Sequence, residues 1–437
     1  MYNYFRGAYY LGEMTWRSRW HRKRLAEYQR RRTKEIVKYA YENVPYYHRK
    51  MKELGVHPSE IAELDDLSKL PILRRKEAVE NSFQMISPEF DPAALRAVTT
   101  SGSTGFPMST YLSRSEDEFR KAKHLRANMA IGQKPRDRWV VVVAPHHFSE
   151  VTRLQRLLGV YAAIPLSVFH EAPRQILALH QLRPQVLDGY SSSLLLLAQE
   201  LEKNPSESIK PRVLIGGAEL IDNASREFIE RSFDAQFYDQ YASVEFERLA
   251  WQCREKTDYH IDSDSVIMEF VDKDGQEVSP GESGEIVCTS LFNFAMPLIR
   301  YATGDIGTPA GDAYCPCGRT LPLMKMIEGR KDSMLTLPNR RVLSPLAFGW
   351  AMEFFNFYNY IRQYRVIQKR VDYLKIFIKK REGIVTENEI QIALQEHLGR
   401  MLGFEKSEVT VQVEFVEEIP LEKSGKLRKV ISELPTI

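Results

Sequence analysis

Short apolar runs of strand length recur through the middle of the chain, separated by stretches in which apolar residues return with a helical spacing. Trp139-Val140-Val141-Val142-Val143-Ala144, Val186-Leu187 and Val213-Leu214-Ile215 predict buried parallel strands. Leu194-Leu195-Leu196-Leu197 opens the helix between two of them. Alternation of this kind predicts a doubly wound α/β layer structure. From Val266 to Thr289 the pattern alternates apolar and polar, with Asp274-Gly275 as the turn, and predicts a small antiparallel β module on the main domain.

After Asp332 the pattern becomes that of a compact α+β unit. Tyr364-Arg365-Val366-Ile367-Gln368, Tyr373-Leu374-Lys375-Ile376-Phe377-Ile378 and Val409-Thr410-Val411-Gln412-Val413 read as strands, and Glu387 to Gly399 as an amphipathic helix. At the other end, Trp16 to about Met51 reads as helical, broken at Val44-Pro45 because a proline restricts the residue before it. With 437 residues, the chain exceeds what one core usually supports. A large domain over 1–332 and a small one over 333–437 are expected.

Composition narrows the class. Hydrophobic residues make up 43% and charged residues 27%, the mixture of an ordinary soluble globular protein. A net charge of +3 is too small to imply nucleic-acid binding. The apolar runs fall far short of a transmembrane span, and the N-terminus is aromatic and then basic, without the apolar segment of a secretory signal. A cytoplasmic location is the expectation. The basic stretch from Trp16 to Arg24, with Arg30-Arg31-Arg32, reads as a solvated helix face; peripheral contact with an anionic membrane or an acidic partner is the alternative. Four cysteines, two of them in a C-x-C, suit an intracellular thiol or metal site better than a disulfide scaffold.

The chemistry-bearing segments begin with Thr99-Thr100-Ser101-Gly102-Ser103-Thr104-Gly105-Phe106-Pro107. Hydroxyls and glycines in close order can turn many donors toward anionic oxygens without burying a cation. A Walker loop would carry a lysine after the second glycine, and none follows Gly105. Far downstream stands Pro420-Leu421-Glu422-Lys423-Ser424-Gly425-Lys426-Leu427-Arg428. Between them lie Gly216-Gly217-Ala218-Glu219, Tyr238-Asp239-Gln240-Tyr241-Ala242-Ser243-Val244-Glu245, Arg300-Tyr301-Ala302-Thr303-Gly304-Asp305 and Gly329-Arg330-Lys331-Asp332.

These segments, in this order, resemble the signatures of the adenylate-forming superfamily of acyl-CoA synthetases, luciferases and adenylation domains. Within it the chain is most similar to the phenylacetate–CoA ligase branch, including relatives in capsular polysaccharide gene clusters. That closer resemblance rests on the short chain, on Asn43-Val44-Pro45-Tyr46-Tyr47, on Leu67-Ser68-Lys69-Leu70-Pro71-Ile72-Leu73, and on Cys315-Pro316-Cys317-Gly318-Arg319-Thr320.

The resemblance implies an enzyme that joins a carboxylic acid to AMP with release of pyrophosphate, then passes the acyl group to coenzyme A. Such chemistry asks for positioning and charge stabilisation more than for an acid or a base. Thr100, Ser101, Gly102, Ser103, Thr104 and Gly105 would wrap the ATP phosphates, and Glu245 would hold Mg²⁺. Gly216, Gly217, Ala218 and Glu219 would lie along the adenine, with Asp239 nearby and Tyr241 stacked on the base. Asp305 would accept from the ribose hydroxyls and Arg330 would add a cation beside them. Lys426 would reach the α-phosphate and the substrate carboxylate. Asp332 would be the hinge about which the C-terminal domain rotates between the two half-reactions.

His146, His147 and Phe148 follow a predicted strand at its C-terminal end, where open α/β sheets bind ligands, and Tyr190 and Ser191 occupy a similar position. They are candidates for the acyl pocket. Cys253, His260, Cys315 and Cys317 can supply three thiolates and an imidazole to a structural Zn²⁺; buried free cysteines, or His260 facing the substrate pocket, are the other readings. Cys288 reads as a core residue. Met108, Ala242, Val244 and Ala302 depart from the family pattern. Transfer to an amine, a hydroxyl or a carrier thiol, and a non-catalytic nucleotide-binding scaffold, remain as alternatives. A homodimer would fit this branch.

Overall fold

The computed structural model describes residues 3–100, 107–148, 150–203 and 209–434. They form two compact units, each assembled from separate stretches of chain. The first joins Met1–Asp137, Val151–Tyr161 and Tyr238–Ile327; the second joins Arg138–Glu150, Ala162–Phe237 and Glu328–Ile437. By compactness, residues 328–437 group with the parallel strands.

In the second unit, strands Ala163–Ser167, Trp139–Val143, Val186–Tyr190 and Val213–Gly217 lie side by side in that order, all parallel. Val140, Val142, Leu187 and Leu214 are fully buried, as expected for strands covered on both faces. Helices Ala172–Leu182, Ser191–Lys203 and Asn223–Phe233 supply Ile176, Leu194, Ile229 and Phe233 to the same core. Gly216 is required here by packing: a Cβ at this position would lie 2.0 Å from the Phe237 ring.

The C-terminal part of this unit has its own core. Its sheet runs Thr410–Phe415, Tyr373–Lys380, Ile361–Arg370, Val430–Ser432, with an antiparallel central hairpin and parallel outer strands. Helix Glu387–Leu402 starts on a Thr386/Glu389 capping box, ends at left-handed Gly403, and buries Ile390, Leu394 and Leu398 against Val366, Leu374 and Ile376. Hydrogen bonds from Gln199 to the Arg362 carbonyl and from Arg381 to Glu202 tie this part to the helix Ser191–Lys203 and its end.

The first unit contains an antiparallel array in the order Val266–Val271, Gly284–Ser290, Tyr301–Pro309, Leu323–Arg330, Tyr259–Ile261, Glu247–Gln252, Phe237–Ser243. The 266–290 pair with its Asp274-Gly275 turn is thus the edge of a larger sheet. The helical N-terminus is three helices, Tyr4–Arg17, Arg22–Asn43 and Pro45–Leu54. Pro45 ends one and opens the next, because a first-turn residue needs no N–H donor. Arg17, Arg22, Arg24 and Arg32 of the basic stretch lie over the rings of Tyr28, Tyr314, Trp16, Trp20 and Phe294, so aromatic faces of the same unit take up part of this charge. No helix among the described residues is long and apolar enough to cross a membrane.

Helix Arg114–Ala130 buries cations rather than apolar side chains alone. Arg126 donates to Asp262, to Asp264 and to the Met14 carbonyl, and Asp262 also accepts from the Trp251 indole. Lys123, sealed beside them 3.9 Å from Asp262, is pulled down by burial to a pKa of about 8. The class that the sequence pattern predicts, layered α/β sheets with an α+β C-terminal part, is the class observed.

Candidate functional site

The Thr/Ser/Gly-rich segment falls between two antiparallel strands, Arg96–Thr99 and Ser109–Leu112. At its base the Thr100 N–H donates to the Met108 carbonyl, and the Met108 N–H returns a bond to the Thr100 hydroxyl. Met108 is buried and serves this unit's core. Ser101, Gly102, Ser103, Thr104 and Gly105 lie outside the described residues.

Glu245 sits in a turn whose backbone is clamped from below. Arg120 donates to the carbonyls of Val244 and Glu245, and Lys123 to that of Phe246. The buried Glu245 carboxylate accepts from the Tyr301 hydroxyl at 3.0 Å and from Arg75 at 3.4 Å. Arg75 also donates to the Thr100 hydroxyl. The carboxylate therefore already has a cation as partner and shares it with Thr100.

Two motifs of the N-terminal region explain how Tyr301 comes to stand there. Tyr47 donates to the Pro297 carbonyl and accepts from the Ile299 N–H, both at 3.0 Å. Leu73 pairs through its backbone with Arg300 and Ala302. The strap Leu67–Leu73 and the Pro45-Tyr46-Tyr47 turn thus fix both sides of the segment that carries Tyr301 and Asp305. Ala302 is buried beside Ile72, Val271 and Val287, an apolar setting that suits its small side chain. Tyr241 donates to Asp305 at 2.7 Å, while Asp239 accepts from Tyr259 at 2.6 Å. Desolvation, with Asp305 adding to it, holds the Tyr241 phenol well above its ordinary pKa, so it remains a donor.

The second unit carries the lysine loop. Gly425 has φ +80°, and a Cβ there would lie 2.5 Å from Val168 and 3.4 Å from Tyr190. This close approach sets the Lys426 ammonium 5.6 Å from the centre of the Tyr190 ring. The Gly216-Gly217-Ala218-Glu219 turn passes through left-handed Ala218, φ +66°. Glu219 then accepts the Ser192 N–H at 2.9 Å with one oxygen and the Leu427 N–H at 2.5 Å with the other. Burial raises its pKa, against the pull of those N–H groups and of Lys426. Asp332 accepts from Arg428 at 3.4 Å and lies 3.7 Å from Arg330. His146 and His147 form an exposed turn directly after their strand, ring centres 4.2 Å apart, followed by half-buried Phe148. Tyr190 is buried against Ala144 and Val168, and Ser191 is buried at the start of its helix.

A separate cluster lies in the first unit. The donor atoms of Cys253, His260, Cys315 and Cys317 are all within 4.8 Å of one another. Cys253 and Cys315 sulfurs are 3.4 Å apart, as are the Cys317 sulfur and His260 Nε2. Tetrahedral zinc with ligands at about 2.0–2.3 Å calls for donor separations of roughly 3.5 Å. Burial, with Arg319 and Arg126 adding to it, holds His260 at about 4, so its imidazole is neutral, the ligating form. Burial also pushes the Cys253 thiol up to about 12, so that its ionisation requires a cation at this spot. Cys288 is fully buried in the main core.

The profile of the CapK C-terminal domain matches residues 348–433. The chain is 27% identical over 395 residues to a phenylacetate-coenzyme A ligase of Thermus thermophilus, covering 88% of this chain and 84% of that one. It is 30% identical over 330 residues to the phenylacetate-coenzyme A ligase of Escherichia coli, covering 72% of each. The chain belongs to the phenylacetate–CoA ligase family. Its fold is that of 2-hydroxyisobutyryl-CoA ligase in the postadenylation state in complex with R3-HIB-AMP, with a TM-score of 0.77, 22% identity and coverage of 93% of this chain and 89% of that one. As a member of the phenylacetate–CoA ligase family it is an adenylate-forming carboxylate ligase.

The family signatures contain Glu245, Tyr301, Asp305 and Lys426. Arg75, Asp222 and Lys429 lie outside those signatures, and their contacts depend on partners far away in sequence. Asp222-Asn223-Ala224-Ser225 did carry a local signal, an acidic N-cap three residues ahead of the serine whose N–H it accepts.

Proposed function

We propose that the protein activates a small carboxylic acid with ATP and transfers the acyl group to the thiol of coenzyme A. The observation that carries this is the lysine loop: Gly425 brings it close enough for Lys426 to lie on Tyr190, and Glu219 holds its backbone at Leu427. In the first step a carboxylate oxygen attacks the α-phosphorus and the bond to the β-phosphate oxygen breaks. Pyrophosphate leaves, and the acyl adenylate remains. Lys426 supplies the positive charge that this crowded anionic centre needs. In the second step the thiol sulfur, having lost its proton, attacks the acyl carbon, the bond from that carbon to the phosphate oxygen breaks, and AMP leaves.

In this reading Thr100 and the loop after it bind the ATP phosphates. Glu245 would hold Mg²⁺, which would offset the negative charge of the phosphates. Asp305, steadied by Tyr241, accepts from the ribose, and Arg330 adds a cation. The Gly216-Gly217-Ala218 turn lies along the base. Asp332 is the hinge, dividing the roles of residues 1–332 and 333–437. His146, His147, Phe148 and Tyr190 line the acyl pocket, and their rings make an aryl acid the first to test. Phenylacetate is the acid named by the curated relatives.

Incubation of the purified protein with ATP, Mg²⁺, coenzyme A and a panel of aryl, alkyl and hydroxy acids, with mass-spectrometric reading of products, tests this function. An acyl-CoA from one class of acid supports it. Acyl-AMP that passes only to an amine, hydroxyl or carrier thiol would replace coenzyme A as acceptor. ATP binding without turnover on any acid would leave a scaffold. We further propose that Cys253, His260, Cys315 and Cys317 hold a structural Zn²⁺. Elemental analysis should then find about one zinc per chain, lost in Cys315→Ser together with thermal stability.

A further inference from the structure

The residues around Lys426 are tied to the second unit at several separate points. Leu427 donates its N–H to Glu219. Arg428 donates to the Ser333 hydroxyl at 2.7 Å and to Asp332 at 3.4 Å. Lys429 donates to Asp222 at 2.7 Å. Asp222 is itself held in place, since its other carboxylate oxygen caps helix Asn223–Phe233 through the Ser225 N–H at 2.8 Å. Burial would raise the Asp222 pKa, but Lys429 and the cap outweigh it and hold the carboxylate below its ordinary range, hence ionised. Glu219 and Asp222, three residues apart on one fixed turn, thus grip the loop one and three residues beyond the lysine.

We propose that Asp222 and Glu219 are positioning residues for the acid-activation step, and that the Asp222–Lys429 ion pair sets how well Lys426 is aimed. This rests on the function proposed above. Lysine side chains have several free torsions, so an ammonium is presented accurately only when the backbone on which it stands is fixed. Gly425 fixes the near side by close packing, and Glu219 and Asp222 fix the far side by hydrogen bonding. The effect belongs to the first half-reaction, where negative charge gathers at phosphorus. Attack of a thiol on acyl adenylate already made has no such demand on Lys426.

Asp222→Asn is the informative variant. Asparagine caps a helix as well as aspartate does, so the helix start is kept and only the ion pair is lost. Pyrophosphate release without coenzyme A should fall about tenfold, in kcat rather than in the KM for ATP. Thioester formation from supplied acyl adenylate and coenzyme A should proceed at the wild-type rate. Lys429→Met should give the same split, and the double variant should be no worse than either single one. Hydrogen exchange at the Leu427 amide should be faster in Asp222→Asn, a reading independent of turnover. Equal losses in both half-reactions would mean a general structural role and would overturn the proposal. So would an unchanged Leu427 exchange rate. A wild-type protein that makes no adenylate from any acid would instead overturn the proposed function, while the exchange experiment would still report on the loop contact.

Discussion

Arg126 and Lys429 are both cations paired with buried aspartates, but their surroundings differ. Arg126 has Asp262 and Asp264 as partners, a backbone carbonyl as a third acceptor, and a side chain 3% exposed. Asp262 is anchored in turn by an indole and neighbours a buried lysine. Lys429 has Asp222 as its partner, a side chain 20% exposed, and a place on a loop. Charges with many partners in a sealed interior cannot be separated without leaving one of them uncompensated. A pair with one bond and a route to water can be broken at modest cost. The first arrangement therefore reads as fold-setting, and the second as positional.

The largest expected effect is on the sealed network. Arg126→Met should destabilise the protein by about 3–5 kcal/mol, read as a shifted denaturation midpoint, because Asp262 and Asp264 would stay buried without their main cation. If Asp222→Asn cost as much stability, the contrast between the two regions would collapse. Next comes Gly425→Ala. Its Cβ would meet Val168 in a left-handed backbone, and adenylate formation should weaken by about 1–3 kcal/mol in transition-state terms, with little change in midpoint because the strain falls on a loop. A fall in midpoint equal to the fall in activity would mean that the close approach serves stability alone. The smallest effect should be Glu414→Gln, which removes the cross-strand partner of half-exposed Lys375; less than about 1 kcal/mol is expected.

What the sequence alone revealed follows the same contrast. Strands Trp139–Val143 and Val213–Gly217, helix Glu387–Leu402 and the Cys/His cluster were legible because each is announced by local periodicity, caps or ligand chemistry. The loop residues Gly425 and Lys426 were legible through a signature. The break at Ser18–His21 between the first two helices was not, since nothing in the run Trp16-Arg17-Ser18-Arg19-Trp20 interrupts a helical pattern. Nor was the attachment of residues 328–437 to the parallel-strand unit, which depends on pairs such as Gln199 with Arg362. Arg75 reads as one basic residue among three neighbours, and only its contacts with Glu245 and Thr100 single it out. Glu219 reads as part of a turn along the adenine, whereas both its oxygens are taken by backbone donors.

The central claim is that Lys426 stabilises charge during adenylate formation. Pyrophosphate release from ATP and the preferred acid, without coenzyme A, compared between wild type and Lys426→Ala, tests it most directly. Lys426→Ala should lose on the order of a hundred- to a thousandfold in kcat, the scale of removing one preorganised donor from a developing anion. Equal rates in the two proteins would contradict it.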